Sequence, residues 1–305
     1  MSQKPSPPAY PRFINRDGRS TVVRVGDSYI WWTDPYHLLL TLSWPALLGV
    51  ILLLFLGSNA LFALAYLIGE GNINNAEPGS FIDAFSFSVQ TMATIGYGAM
   101  HPATVYADIL VTIESLVGLL GVAMATGLMF ARFSIPTARV LFSNVAVIAS
   151  HNGVPTLMFR AANQRHNQIV EAQLRATLIR DEVSKEGLVM RRLHDLRLVR
   201  SRTPIFALTW TVMHTIDEHS PLYGATPDSL RDDLVEIIVT LTGLDATVSQ
   251  TIHARHSFVA QEILFDHAFV DILTRSVDGR GSINYKKFHE VQPIDLIQRV
   301  GPIAP

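Results

Sequence analysis

Two long apolar stretches dominate the hydrophobic pattern in the first half of the chain. Residues 46–68 carry no formal charge, and residues 109–133 are interrupted by charge only at Glu114 and Arg132. At a rise of about 1.5 Å per residue, a helix over either stretch crosses a hydrocarbon core of about 30 Å. The pattern therefore predicts two transmembrane helices.

A shorter helical pattern lies between these two stretches. Ser80 is a preferred N-cap residue, and Asp83 places an acid in the first turn. The apolar residues that follow share one face; they are Phe81, Phe85, Val89 and Met92. A helix this short cannot cross a bilayer, so it is predicted to enter the membrane and return. Non-helical backbone at that depth must then be buried in protein or line a water-filled cavity.

A further helix is predicted just before the first span, over residues 33–44. Asp34 is its expected N-cap, and Pro35 suits the first helical position. Trp31, Trp32 and Tyr36 cluster here, and such aromatic residues favour a helix that lies in the headgroup layer. An ordinary hinge before the span is the alternative.

From Val140 onward the hydrophobic period changes to two, which is typical of strands. Apolar and other residues alternate over residues 170–178, 206–212, 235–241 and 268–272. Turn-forming pairs separate the predicted strands; they are Asn152-Gly153, Glu186-Gly187, Ser220-Pro221 and Asp278-Gly279. Many short strands of this kind predict a β-sandwich, with a short helix starting at Thr226-Pro227-Asp228.

The positions of the charged residues along the chain are more informative about topology than the net charge is. No Lys or Arg lies between Arg24 and Arg132, so the positive-inside rule predicts that both flanks of the membrane region are cytoplasmic. A net charge of −2 argues against a nucleic-acid partner, because such proteins are normally basic. The absence of cysteine excludes disulfides and thiolate metal sites. His253 and His256 lie three apart in a strand region and should point to opposite faces, which argues against a metal site there.

One motif between the spans has the chemistry of an ion-binding loop: Thr94, Ile95, Gly96, Tyr97 and Gly98. The two glycines permit the positive φ that turns successive carbonyls toward one axis. Thr94 can add a hydroxyl oxygen, while Ile95 and Tyr97 can face outward and brace the loop. Carbonyl rings from several chains replace the hydration shell of a cation in channel filters. A glycine-rich turn would match the same letters, so the interpretation depends on the flanking helices.

With those helices in place, the chain resembles inward-rectifier potassium channels, in particular their prokaryotic branch (KirBac). The resemblance covers residues 31–289. Outside the loop, it is carried by Phe142-Ser143-Asn144, Val170-Glu171-Ala172, Ile216-Asp217-Glu218-His219-Ser220-Pro221-Leu222-Tyr223, Glu262-Ile263-Leu264 and Lys287-Phe288-His289. It implies a homotetramer with four filters around one axis and a cytoplasmic immunoglobulin-like β-sandwich that extends the pore.

The resemblance also implies roles for particular residues. K⁺ would bind at Thr94, Ile95, Gly96 and Tyr97 of the filter that Gly98 completes. Phe130 would form the gate at the inner-helix crossing. Gly243 through Ser249 would narrow the cytoplasmic pore, and Glu171 would line it. Val122 stands where many relatives place the polar residue that holds Mg²⁺ or polyamine blockers, so strong rectification is not expected.

Two further features depart from the resemblance. Gln90 and Met100 stand where eukaryotic members pair an acid with an arginine behind the filter. Glu114, an acid within the membrane, is a functional-site hypothesis by default; we expect it to support the filter by bonding to the pore loop, and a cavity-lining charge is the alternative. The basic cluster after the second span is reduced to Arg132 and Arg139, which leaves both activation and inhibition by phosphoinositides open.

The sequence thus predicts an N-terminal cytoplasmic arm (1–32), an interfacial slide helix (33–44), a two-helix pore domain (45–135) and a cytoplasmic β-sandwich (136–305). The predicted function is passive, K⁺-selective conduction of the inward-rectifier type across the cytoplasmic membrane of a prokaryote, with both termini cytoplasmic. The cytoplasmic domain is expected to gate the pore at the inner-helix crossing. No enzyme activity and no cofactor are expected, K⁺ being the permeant ligand, and anionic lipids are expected partners. The alternatives are a weakly selective cation channel and a membrane-anchored sensor or scaffold.

Overall fold

The computed structural model describes residue 12 and residues 34–165, 167–275 and 281–294. These residues belong to two compact units, Gly26–Ile135 and a second unit that combines Met1–Val25 with Pro136–Pro305. Several predicted features lie outside the described residues: Trp31, Trp32, the Asp278-Gly279 turn and, apart from Arg12, the N-terminal arm.

The described part of the first unit is helical, with one short β-ribbon. Its elements in chain order are α1 (Pro35–Thr41), α2 (Trp44–Tyr66), β1 (Ile73–Asn74), α3 (Phe81–Met92), β2 (His101–Pro102) and α4 (Val105–Phe133). Strands β1 and β2 pair antiparallel on either side of the α3 region. Helices α2 and α4 correspond to the two predicted spans, and each begins earlier than the apolar pattern indicated.

Side chains placed at the helix starts explain where the helices begin. The Asp34 carboxylate accepts from the His37 backbone N–H at 3.0 Å, and Pro35 follows it as predicted. The Ser80 hydroxyl accepts from the Asp83 N–H at 3.3 Å. Each such cap satisfies one of the backbone donors that a helix start leaves without an intrahelical partner. Both predicted caps are therefore confirmed.

Small residues let α2, α3 and α4 approach one another closely. The core of this unit is built from Ala63, Tyr66, Ala84, Phe87 and Ala107. The rings of Tyr66 and Phe87 meet edge-on, with centroids 5.1 Å apart. Close approach over alanine is the packing expected where lipid removes the hydrophobic drive between helices.

Both long helices are far more exposed than the core helix of a water-soluble protein would be. Only 17% of the most apolar part of α2 and 11% of that of α4 are buried in the single chain. Apolar surface on this scale needs lipid or other protein chains to cover it. The two helices are long and apolar enough to cross a membrane.

The described part of the second unit is built mainly of strands. Its elements are β3 (Val140–Phe142), β4 (Ala146–His151), β5 (Val154–Asn163), β6 (Ile169–Val183), β7 (Val189–Leu196), β8 (Arg202–Phe206), β9 (Thr209–Thr215), α5 (Pro227–Asp232), β10 (Glu236–Asp245), β11 (Gln250–Val259), a 3₁₀ turn (Ala260–Glu262), β12 (Ile263–Phe265), β13 (His267–Phe269), β14 (Leu273–Arg275), β15 (Gly281–Ile283), a second 3₁₀ turn (Tyr285–Lys287) and β16 (Val291–Pro293).

Two five-stranded sheets form the predicted β-sandwich. One has the order β11-β10-β6-β7 with β8 paired to β6, and the other has the order β12-β4-β5-β3 with β9 paired to β5. Alternate residues of the facing strands fill the space between the sheets, among them Leu157, Phe159, Leu174, Ile237 and Val239, all fully buried. The period-two prediction for residues 170–178 and 235–241 is confirmed.

The chemistry of the turns also agrees with the sequence. Asn152 and Gly153 both have positive φ, +53° and +80°, and join β4 to β5 in a hairpin. Asn-Gly is the preferred pair for such a two-residue turn. Thr226 and Ser229 form a reciprocal capping box at the start of α5, where the sequence predicted a short helix.

Two strand predictions were wrong in extent. Residues 206–212 do not form one strand, because β8 ends at Phe206 and β9 begins at Thr209. Leu208 lies in the bend between them with 60% of its surface exposed, and its carbonyl accepts from the Asn163 N–H. The alternation over residues 268–272 likewise spans the end of β13 and the following loop, although Ile272 is buried. Periodicity identified buried positions but not the breaks between strands.

Candidate ion-conducting site

Residues 94–98 lie directly after the C-terminal end of α3, which positions the start of the loop. The Gln90 carbonyl accepts from the backbone N–H groups of Ile95, at 2.8 Å, and Gly96, at 3.3 Å. The Thr94 N–H donates to the Thr91 carbonyl at 3.1 Å. Three backbone N–H groups of the loop thus donate to the last turn of the helix.

Positive φ recurs at every second residue of this loop. The values are +56° at Thr94, +55° at Gly96 and +81° at Gly98. The two glycines adopt this conformation without steric cost, as the sequence predicted. Thr94 was not predicted to do so, and a β-branched residue with positive φ is a backbone outlier of the kind that clusters at ligand sites.

The side chains that were expected to brace the loop are exposed in the single chain. Tyr97 exposes 76% of its surface and Ile95 exposes 45%. A large aromatic ring with so little contact to its own chain cannot hold a loop in place. Within one chain, these two side chains therefore do not brace the loop as the sequence predicted.

Glu114 is fully buried on α4 and contacts two other helices. The Tyr66 hydroxyl on α2 donates to Glu114 Oε2 at 2.7 Å, and the Ser88 hydroxyl on α3 contacts Glu114 Oε1. Ser88 also contacts Asn59 Oδ1 at 3.0 Å, and the Asn59 amide donates to the Phe55 carbonyl at 2.7 Å. The acid thus bonds to the helix that carries the loop, whereas the sequence suggested a bond to the loop itself.

Sequence reasoning assigned no role to the two partners of Glu114, Tyr66 and Ser88, or to Asn59, which contacts Ser88. Asn59 was visible as a polar residue within the first apolar stretch, and a buried polar group in a membrane helix needs a hydrogen-bond partner. Tyr66 and Ser88 carry no comparable signal, because tyrosine is common near helix ends and serine is common in capped helices. Only the packing of α2, α3 and α4 brings the four side chains together.

Gly118 on α4 allows an unusually close contact with the end of α3. A Cβ added there would lie 2.6 Å from the Met92 carbonyl oxygen and 2.9 Å from Met92 Cγ. Met92 is the last residue of α3, so this contact sits immediately before the loop. No neighbour lies within 4 Å of a Cβ built at Gly121 or Gly127.

Phe130 and Val122, the predicted gate and cavity residues, both lie on α4 and point away from their own chain. Phe130 exposes 72% of its surface. Close to Phe130, the Arg132 guanidinium donates to the Leu42 carbonyl and, at 3.4 Å, to the Leu39 carbonyl. It also lies 4.6 Å from the ring centroid of Trp44. The arginine therefore joins the end of α4 to the end of α1 and the start of α2.

The second unit brings Glu171 and Gly243 together on neighbouring strands. The β6–β10 register shifts between Thr242 and Leu244, and Glu171 has a φ of +49° at this irregularity. A Cβ at Gly243 would lie 2.5 Å from Ile169 Cγ2. This is a β-bulge, a feature that re-aims a side chain. Ser249, with φ at +52°, closes the turn between β10 and β11 through its N–H and the Asp245 carbonyl.

His253 and His256, the two histidines considered in the sequence, have different surroundings. His253 is exposed and His256 buried on β11, as opposite faces require. His194 Nε2 lies 2.8 Å from Glu182 Oε1, and the bond that Arg180 donates to Glu182 is the main cause of a lowered pKa of that carboxyl. Within the ranges that the structure describes, no group of three metal-ligating side chains occurs.

Comparison with known proteins agrees with this arrangement. Residues 140–301 match the family described as inward rectifier potassium channel C-terminal domain, and residues 49–134 match the ion channel family. The chain is 52% identical over 287 residues to the inward rectifier potassium channel Kirbac3.1 of Paramagnetospirillum magnetotacticum. That alignment covers 93% of this chain and 97% of its relative. The chain belongs to the inward-rectifier potassium channel family.

More distant members of the inward-rectifier potassium channel family align over most of the chain as well. Inward rectifier potassium channel 18 of Homo sapiens is 30% identical, with 94% of this chain and 72% of the relative covered. The G protein-activated inward rectifier potassium channel 3 of Mus musculus is 32% identical, with 92% and 77% covered. These relatives are ion channels rather than enzymes. The predicted fold class is confirmed, and a tetramer is consistent with this family.

Exchange of Glu114 tests the buried contacts. A serine hydroxyl carries one proton, so Ser88 donates to only one of its two acceptors. Glu114→Gln would offer Ser88 an N–H and keep an oxygen for Tyr66, so we expect wild-type thermal stability and ion flux. Glu114→Ala leaves Tyr66 and Ser88 without this acceptor, and the free energy of unfolding should fall by about 1–3 kcal/mol. Thermal unfolding in detergent measures both, and equal damage by the two variants would contradict the network.

Exchange of Gly118 tests the contact between α4 and α3. The added methyl of Gly118→Ala meets a backbone carbonyl that cannot rotate away, so the end of α3 must move and the selectivity for K⁺ over Na⁺ should fall. Gly121→Ala is the matched control, since it has open space in the chain and alanine favours a helix by about 1 kcal/mol. Isotope uptake into proteoliposomes measures selectivity. Unchanged selectivity in Gly118→Ala would show that the loop does not depend on this contact.

Proposed function

We propose that this protein conducts K⁺ passively and selectively as a homotetramer, with four copies of residues 94–98 around one axis. The observation that carries the proposal is the alternating positive φ at Thr94, Gly96 and Gly98, in a loop whose N–H groups at Ile95 and Gly96 bond back to α3. Membership of the inward-rectifier potassium channel family supports K⁺ as the permeant ion.

Selectivity arises because the protein replaces the hydration shell of the ion. Carbonyl oxygens of Thr94, Ile95, Gly96 and Tyr97, with the Thr94 hydroxyl at the inner end, form successive K⁺ sites. Several adjacent sites of moderate affinity let ions enter and leave in single file. The C-terminal end of α3 carries partial negative charge and favours a cation beside it.

Four-fold assembly follows from what one chain leaves exposed. One loop can ligate an ion from one side only, so a complete shell needs several loops that face a common axis. Tyr97, Ile95 and Phe130 are large apolar or aromatic residues with few contacts in the single chain. In the tetramer, the two filter side chains pack against neighbouring subunits and Phe130 faces its three copies.

The protein crosses the cytoplasmic membrane of a prokaryote twice, with both termini in the cytoplasm. The absence of Lys and Arg between Arg24 and Arg132 supports this orientation, and two spans return the chain to its starting side. The arm is residues 1–32, the slide helix 33–44, the pore domain 45–135 and the cytoplasmic domain 136–305.

Ion conduction is regulated at the gate and in the cytoplasmic pore. Phe130 closes the inner-helix crossing, while Glu171 and the loop from Gly243 to Ser249 line and narrow the cytoplasmic end. Val122 offers no charge to Mg²⁺ or polyamines, so block and rectification are weak. Arg132 donates to the carbonyl of Leu39 in α1 and to that of Leu42 just after it, so anionic lipids, phosphoinositides included, act mainly through other basic residues.

Flux measurements in K⁺-loaded proteoliposomes test the function. We expect uptake of labelled Rb⁺, with Na⁺ uptake far smaller, because carbonyl sites suit ions of the size of K⁺. Gly96→Asp should abolish uptake while leaving the tetramer intact in detergent. Comparable uptake of Na⁺ and Rb⁺ would instead indicate a weakly selective pore. Flux equal to empty vesicles in the wild type would favour a sensor or scaffold.

The gate has its own test. Removing the ring in Phe130→Ala widens the crossing and eases its wetting, so single-channel recordings should show a higher open probability. Met124→Ala, another exposed position on α4, is the control for a general effect of truncation. An unchanged open probability in Phe130→Ala would move the gate to the loop from Gly243 to Ser249.

A further inference from the structure

The turn between β5 and β6 is braced by its own asparagines. Asn163 Oδ1 accepts from the Arg165 backbone N–H at 3.0 Å, and Asn163 Nδ2 donates to the Asn167 carbonyl at 2.8 Å. Asn163 is buried. These bonds join Asn163 to Arg165 and Asn167 on the described residues of the turn.

One side of this turn binds the segment that follows α4. Arg165 Nη2 donates to the Thr137 hydroxyl at 2.7 Å, and the Gln164 backbone N–H donates to the Arg139 carbonyl at 2.9 Å. Thr137 comes soon after Phe133, where α4 ends. The linker that leaves the inner helix is therefore attached to the turn at two points.

The other side of the turn binds the start of the loop that is proposed to narrow the cytoplasmic pore. Arg165 Nη1 donates to Asp245 Oδ2 at 3.2 Å, and Asn167 Nδ2 donates to Asp245 Oδ1 at 2.8 Å. The Ala246 N–H donates to the Gln168 carbonyl at 3.0 Å. Asp245 is only 1% exposed.

Asp245 is held in its charged form by these donors. Burial raises the pKa of Asp245, but hydrogen bonds from the Thr247 N–H, Asn167 and Arg165 outweigh burial and leave the pKa below its ordinary value. A buried carboxylate that loses its cation is costly. One planar guanidinium, that of Arg165, contacts both Thr137 and Asp245.

We propose that Arg165 is a positioning residue that couples the linker after α4 to the loop between β10 and β11, so that the gate and the cytoplasmic constriction move together. The link to gating rests on the proposed function. The junction itself, formed by Thr137, Arg165 and Asp245, rests on the contacts of the second unit alone.

Hydrogen–deuterium exchange of the full-length protein tests the junction without any need for flux. Thr137→Val replaces the hydroxyl that Arg165 contacts with a methyl group and leaves Arg165 and Asp245 unchanged. We expect faster exchange in a peptide that covers residues 243–252, and a similar increase in Arg165→Gln. Thr211→Val, the same exchange at an exposed position on β9, should leave that peptide unchanged. Wild-type exchange of the loop in Thr137→Val would overturn the coupling.

Single-channel recordings test the consequence for gating. A lost hydrogen bond changes an equilibrium by about three- to tenfold, so Thr137→Val and Arg165→Gln should each shift the ratio of open to closed time by about that factor, in the same direction. The double variant should shift it no further than the larger single change. Independent, multiplying effects would show that the two residues act separately and would overturn the link.

Arg165→Lys is a second variant at this position, in case Arg165→Gln does not fold. Lysine keeps the charge beside Asp245 but is a point donor that cannot reach two partners along a planar fork. We expect it to retain the melting temperature of the wild type and still accelerate exchange in the loop. If Arg165→Lys matched the wild type in both exchange and gating, the two-sided contact would have no role.

Discussion

The attachment of one loop to the helix before it organises the described part of the first unit. The loop over residues 94–98 is held by α3 through its backbone N–H groups. The Gln90 carbonyl takes two of its N–H groups, and the Met92 carbonyl sits against Gly118. Behind α3, Glu114 ties that helix to α2 and α4 through Ser88 and Tyr66. The loop is therefore attached to a group of three helices that are bonded to one another.

Arginine serves as an internal connector in both units. Arg132 holds the end of α1 and lies over Trp44, and Arg165 bonds to Thr137 and Asp245. In each case the planar guanidinium reaches two partners that lie on different elements. From the sequence alone, basic residues near the end of a membrane span are usually interpreted as binding lipid headgroups. The contacts of Arg132 show that a basic residue in this position also fastens protein to protein.

Much of the architecture was predictable because it depends on local signals. Asp34 and Ser80 predict helix starts, and Asn152-Gly153 predicts a turn. Alternation at residues 170–178 predicts a strand with one buried face. The partners of Glu114 were not predictable, because hydrophobic period reveals which face of a helix is buried but not which side chain opposes it. The bulge at Glu171 and Gly243 could not be predicted either, because the register of a strand depends on its partner strand as well as on its own sequence. The prediction of one strand over residues 206–212 was wrong because the apolar side chain of Leu208 fits an alternating pattern, although Leu208 lies in a bend.

The close contact at Gly118 divides α4 into two parts that differ in how freely they can move. At Gly118 the helix packs against the end of α3 with no space for a methyl group, so tilting there would disturb the loop that follows α3. After Gly118, no neighbour among the described residues lies within 4 Å of a Cβ built at Gly121 or Gly127. Bending confined to that part would let the C-terminal end of α4 swing while the end of α3 stays in place. The absence of a side chain at one position thus separates the movement of one helix end from the loop at the other.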